Sequence, residues 1–179
     1  GNASAATGGN GSYSYQWQYS NNGSSGWTNI GSATATTYNP PSGLTASRWY
    51  RRRAISCGET KYSNTAQITV SPPITGGSIN GAQSVCYDGN PTTLGNTSGA
   101  AGGDGSYAYQ WQYSNNGSNG WVNISGATAT TYNPPSGLTS SRWYRRSAVS
   151  CGDTAYSNTV QVTVSAALVA GNISGSASL

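Results

Sequence analysis

The chain has 179 residues, of which only 7% are charged, with a formal net charge of +4 and no His, Met or Phe. Without His, the usual general base near neutral pH and the commonest transition-metal ligand are both missing. The acids Glu59, Asp88, Asp104 and Asp153 are too scattered for a carboxylate pair or a calcium cage, so neither an enzyme nor a bound metal or cofactor is expected. No apolar run is long enough to cross a bilayer, so this segment is not expected to insert in a membrane. No signal-peptide pattern opens the sequence, and a piece of a longer protein is expected.

Aliphatic side chains are sparse, but 13 Tyr and 6 Trp offer an aromatic core, since each ring buries about 150–250 Å². In chain order, Tyr13, Tyr15, Trp17 and Tyr19 alternate with polar residues, the period-two pattern of a half-buried strand. An Asn-Asn-Gly turn follows from Asn21. The pattern recurs at Tyr107, Tyr109, Trp111 and Tyr113, followed by a turn from Asn115, a short strand Trp121–Ile124 and a Thr-rich strand from Ala127 to Tyr132. Asn133-Pro134-Pro135-Ser136-Gly137 breaks the ladder. Arg142–Cys151 and Tyr156–Val164 read as the last two strands, hinged at Cys151-Gly152-Asp153. No segment shows a helical period, and the chain reads as all-β.

The recurrence is an internal repeat. YQWQYSNNG starts at Tyr15 and Tyr109, TATTYNPPSGLT at Thr34 and Thr128, SRWYRR at Ser47 and Ser141, and YSNT at Tyr62 and Tyr156, each pair 94 positions apart. About seven short strands in such a repeat fit an immunoglobulin-like β-sandwich. The expected fold is therefore two tandem sandwich repeats, the first lacking its opening strand. The expected divisions are 1–71, a truncated repeat; 72–77, a Pro/Gly linker; 78–165, a complete repeat; and 166–179, a linker and the opening strand of a following repeat. Trp17, Trp111, Tyr50 and Tyr144 are the expected core, with Leu138 and Tyr144 resembling a tyrosine corner.

Cys57 and Cys151 are repeat equivalents, whereas the counterparts of Cys86 fall outside the chain. Cys86 and Cys151 are the expected disulfide within one repeat, with the partner of Cys57 beyond the chain. Closing so long a loop is worth about 4 kcal/mol in the chain-entropy estimate and implies an oxidising, extracellular setting.

Taken together, YQWQ, GW-x-NI, GAT-x-TTYNPP, LT-x-SRWYRR, SCG and YSNT-x-Q-x-TV resemble the tandem immunoglobulin-like repeats of very large Bacteroidota cell-surface adhesin and filament proteins, of the kind exported by type IX secretion. The resemblance covers essentially the whole chain, departing from it in the RWY triplet. It implies a secreted, cell-surface adhesin or filament component and names no ligand.

Several surfaces invite a functional reading. Trp49 with Arg51, and Trp143 with Arg145, form either a sugar-stacking stripe or a cross-strand ladder that stiffens the sheet. Trp27 and Trp121 are further candidates for stacking on a surface polysaccharide. Eight Lys and Arg are too few and too confined for a nucleic-acid footprint. The Thr pairs around Thr36 and Thr130 read as ordinary outward strand positions. Asp153-Thr154-Ala155 resembles a short bacterial O-glycosylation motif, making Thr154 a candidate. The leading expectation is a structural repeat module of an extracellular stalk, adhesin or filament, partnered by neighbouring repeats and by copies of itself. The alternatives are a carbohydrate-binding module and a strand-exchanged fibre subunit, the latter because residues 166–179 resemble 72–85.

Overall fold

The computed structural model describes residues 4–175. The chain divides into two units, Gly1–Ser71 and Pro72–Leu179. Among the described residues every regular element is a strand, and the fold is all-β, two tandem immunoglobulin-like units, of which unit 2 has two layers and unit 1 a single sheet.

Unit 1 holds β1 (Ser14–Ser20), β2 (Thr28–Asn29), β3 (Arg48–Ser56), β4 (Glu59–Tyr62) and β5 (Ala66–Ile68). They form one sheet in the order β2-β1-β3-β4, with β5 also on β3, so β3 is central. Its Tyr50 lies opposite Tyr19 and its Arg52 opposite Trp17, which puts these four side chains on one face.

Unit 2 holds β6 (Ser78–Asn80), β7 (Gln83–Val85), β8 (Gly95–Ser98), β9 (Ala108–Ser114), β10 (Val122–Asn123), β11 (Arg142–Ser150), β12 (Asp153–Tyr156) and β13 (Val160–Val164). The main sheet runs β10-β9-β11-β13-β7, with β12 on β11 and β7 parallel to β13. The pair β6–β8 forms the second layer, tied by a bridge from Leu94 to Tyr132. Between the layers lie Ile79, Leu94, Trp111, Leu138, Tyr144, Val160 and Val162. Trp111 is fully buried, and its indole N–H donates to the Ala129 carbonyl at 2.9 Å. The only polar atom of that ring is thus satisfied, which its burial requires.

Three sequence readings are corrected. Residues 127–132 form no strand: 129–131 are bends and Tyr132 makes an isolated bridge to Leu94. Their carbonyls serve side chains on the sheet: Ala129 accepts from Trp111 and Thr130 from Arg146. Residues 72–77, the expected linker, bond to unit 2, where Gly103 N–H donates to the Pro72 carbonyl at 2.8 Å and Thr75 bridges Ala101. The last strand is broken at Ser157, whose backbone N–H donates to the Arg146 carbonyl and whose hydroxyl accepts from the Arg146 N–H. That side chain patches the ladder between β12 and β13. Tyr144 forms no tyrosine corner, since its buried hydroxyl lacks a hydrogen-bond partner.

The expected disulfide is corrected as well. Cys57, Cys86 and Cys151 are free and exposed. Cys86 follows β7, whose Val85 pairs Val164, beyond the Arg142 end of β11; Cys151 sits at that strand's other end. Nine strand residues separate the two ends, about 30 Å at strand rise, whereas a disulfide needs Cα atoms within about 7 Å. Cys151 (φ 53°) and Gly152 (φ 85°) are instead the two central residues of the β11–β12 hairpin, as Cys57 (φ 49°) and Gly58 (φ 78°) are of β3–β4. Two successive positive φ values define the turn whose twist matches that of paired strands.

Candidate functional site

The strands β3 and β11 carry most of the charge, and alternation sends it to both sides of the sheet. On the outer face of unit 2, the Arg145 guanidinium lies between the Trp121 ring, 4.3 Å from its centroid, and the Tyr156 ring, 3.9 Å away. Its Nε donates to Gln112 Oε1 at 2.7 Å. Unit 1 repeats the arrangement with Arg51 between Trp27 (4.1 Å) and Tyr62 (4.0 Å), and Nε on Gln18 at 2.8 Å. Each cation is therefore held on both faces by aromatic quadrupoles and at one edge by an amide oxygen. Burial pulls the Arg145 pKa down, and the Tyr156 hydroxyl beside it opposes that pull.

Trp143 and Trp49 are half-buried beside these sandwiches. A Cβ built on Gly117 would lie 2.6 Å from Trp143 Cδ1, and one on Gly23 equally close to Trp49 Cδ1. Each indole thus rests directly on the backbone of an Asn-Asn-Gly turn. The turn is clipped from beneath: the Ser114 hydroxyl donates to the Asn119 carbonyl at 2.6 Å and accepts from the Gly117 N–H.

The inner face is charged too. Arg146 is 0% exposed, its guanidinium 4.4 Å from the Tyr109 ring centroid, with Nη1 donating to Asn96 Oδ1 and the Thr130 carbonyl. In unit 1, Arg52 is buried over Tyr15 and donates to the Thr36 carbonyl at 2.7 Å. Arg142 and Arg48 cap Tyr113 and Tyr19 in the same way. Sequence reasoning missed the buried Arg52 and Arg146; the signal was their spacing of two from Tyr50 and Tyr144, which puts each on the core face.

The sequence-selected residues therefore fall into two groups. Trp17, Trp111, Tyr50 and Tyr144 lie in the core, at 8%, 0%, 4% and 1% exposure. Trp27, Arg51, Trp121 and Arg145 are brought together as sandwiches, flanked by Trp49 and Trp143. Thr154 lies apart, exposed on β12. Among the described residues no cluster of His, Cys, Asp or Glu could hold a metal ion, and no helix is long and apolar enough to cross a membrane.

A family model described as "Domain of unknown function (DUF8696)" matches residues 2–72 and 75–166. The chain belongs to this family. No curated protein matches it. Among solved structures it is similar to one described as the structural basis for Dscam isoform specificity, at 13% identity and a TM-score of 0.38, covering 86% of this chain. It is also similar to the N-terminal four Ig domains of Dscam1 isoform 6.9, at 13% identity and a TM-score of 0.40, covering 87% of this chain. The chain spans 38% of the length of each of those structures.

Proposed function

We propose that this DUF8696 chain is a structural module, a pair of immunoglobulin-like repeats that gives reach and mechanical stability to an extracellular stalk, adhesin or filament. The observation that carries the reading is the duplicated guanidinium sandwich. In both units the residues best suited to grip a ligand grip each other instead, across the central strand, so their interaction energy goes into the sheet. The resemblance to Bacteroidota surface repeats supports an extracellular location, with neighbouring repeats as the main partners. Thr154, exposed near a hairpin tip, is a reachable site for a glycan.

A carbohydrate-binding reading draws on Tyr62 and Tyr156, which remain 50% and 48% exposed on the outside of the sandwiches. One experiment separates the two. Arg51→Ala and Arg145→Ala are each expected to lower the unfolding free energy of their own unit by about 1–2 kcal/mol in urea, for two cation–π contacts and a hydrogen bond. Surface polysaccharides should leave Trp fluorescence unchanged. A saturable fluorescence change that Tyr156→Ala and Tyr62→Ala abolish, with stability unaffected by the Arg variants, would overturn the structural reading in favour of sugar binding.

A further inference from the structure

The outer faces of the two units differ beside the sandwich: β3 carries Arg53 where β11 carries Ser147, its repeat equivalent. Alternation puts Arg53 on the outer face with Trp49 and Arg51, opposite Gln16 of β1 and Tyr62 of β4. Ser147 is buried and satisfied within its own sheet, its hydroxyl donating to the Gln110 carbonyl at 3.2 Å. Arg53 is not. Among the described residues its guanidinium has no hydrogen-bond acceptor and no ring beneath it, and its Nε is enclosed without a partner. Each of the other six Arg stacks on at least one aromatic ring.

The charge is uneven in the same direction. Unit 1 holds five basic residues against Glu59 alone, whereas in unit 2 three Arg meet three Asp, so the formal +4 of the chain lies wholly in unit 1. Of these cations Arg51 and Arg53 share the outer face, two residues and about 7 Å apart along β3. Arg51 is fixed in direction by Gln18 at its Nε and by a ring on either side, and no described residue accepts from its terminal nitrogens. Next to both Arg, on the edge strand β4, the Tyr62 ring is half exposed. That openness belongs to the repeat, because Tyr156 is equally exposed in unit 2, where β6 and β7 are in place.

We infer that the outer face of unit 1 at Arg53 is a binding site for an acidic polysaccharide, a polymer of uronic acid residues. The terminal N–H groups of Arg53 and Arg51 take a sugar carboxylate, a charge-assisted pairing suited to the planar guanidinium. The open part of the Tyr62 ring takes the apolar face of a pyranose. An acidic peptide brings the carboxylate without that flat apolar body, and nucleic acid needs a longer track of cations than two Arg. Unit 2 offers the ring and the sandwiched Arg145, but Ser147 leaves it without the second cation.

The inference goes beyond the structural reading, since it turns on an Arg that the sandwich leaves free. Its test is isothermal titration calorimetry of the 179-residue chain at low salt, with polygalacturonate oligomers as the probe and dextran and poly-glutamate as comparisons. The expected result is one saturable site per chain for polygalacturonate, weakened by added salt, with far weaker binding of either comparison. Arg53→Ser should weaken polygalacturonate binding roughly tenfold, through the loss of a charge-assisted hydrogen bond. It installs the residue that unit 2 carries in the same setting, so the variant folds. Absence of polygalacturonate binding, or binding indifferent to Arg53→Ser, would overturn the inference. Equal binding of dextran would do so by removing the role of charge, and equal binding of poly-glutamate by making the partner an acidic protein segment. Arg53 lies on the Tyr62 side of the sandwich and Trp27 on the other, so calorimetry and not Trp emission reads this site. None of these outcomes alters the unfolding response to Arg51→Ala or Arg145→Ala, which tests the structural reading separately.

Discussion

Arg146 carries a positive charge into a site with no water-accessible surface, and its named hydrogen-bond acceptors are all neutral. The charge is held by dipoles: the Asn96 amide oxygen at 2.9 Å, the Thr130 carbonyl at 2.6 Å and the Tyr109 ring. Burial lowers its pKa, and Nε has no partner. Such a group contributes to stability chiefly through what its loss would strand. Arg146→Met removes the desolvation cost but leaves the Thr130 and Ser98 carbonyls without their donor, so unit 2 is expected to lose about 2–4 kcal/mol in urea unfolding. Arg146→Lys should not restore it, because a single ammonium cannot both bridge these oxygens and stack on Tyr109. An Arg between Tyr144 and a polar run reads from sequence as a surface residue, as most Arg are. Only the strand period argued otherwise, and with Arg142, Arg145 and Arg146 together both faces looked charged. The core aromatics were legible because Tyr109, Trp111 and Tyr113 alternate with small and amide residues.

At the scale of elements, the hairpin tips show how closely related turns can differ in their response to acid. The β11 end is anchored by Asp104, which accepts from the Ser106 N–H at 2.9 Å and the Ser150 hydroxyl at 2.8 Å. In unit 1, Asn10 accepts from the equivalent Ser12 N–H and Ser56 hydroxyl, both at 3.0 Å. These bonds, the Ser106 N–H foremost, hold the Asp104 carboxyl below its ordinary value of 3.8. A carboxyl whose pKa is lower folded than unfolded adds stability that is fully present above the unfolded value, here 3.8. That contribution is lost as pH falls through the lower, folded value. Unit 2 should therefore soften in strong acid through this group, while the Asn10 anchor does not titrate. Asp104→Asn is expected to flatten the acid limb of the unit 2 melting profile and leave its neutral-pH stability nearly unchanged. Hydroxyl and amide anchors of this kind were not legible in the sequence, because Ser and Asn are so abundant that no single one stands out. The Thr-rich run at 127–132 misled for a related reason. Thr favours strands, but this run gives its carbonyls to Trp111 and Arg146, and a chain so engaged leaves the ladder.

For the whole molecule, the repeat was the strongest sequence signal and organised everything else, because a fixed offset of 94 carries each local contact from one unit to the other. What the offset could not reveal was which end of a sandwich each cysteine occupies. That depends on β7 running parallel to β13, a pairing with no local signature. The placement of the basic residues has a further consequence. All seven Arg lie on β3 and β11, and Lys61 lies on β4 beside β3. Proteases of trypsin's specificity need several residues of free, extended chain on either side of the basic residue they cut after. Here the Arg bonds lie on the most fully paired strand of each unit, with neighbours hydrogen-bonded on both flanks. Cleavage after the Arg residues should wait on the opening of each unit, at a rate independent of enzyme once trypsin is abundant enough to outpace reclosing, whereas Lys61 is exposed on the edge strand β4. A protease that cuts after small or aliphatic residues should instead cut first within residues 166–175, which are exposed and outside any strand. For a protein exposed to digestive enzymes, concentrating its arginines in the central strands hides those cleavage sites inside the fold.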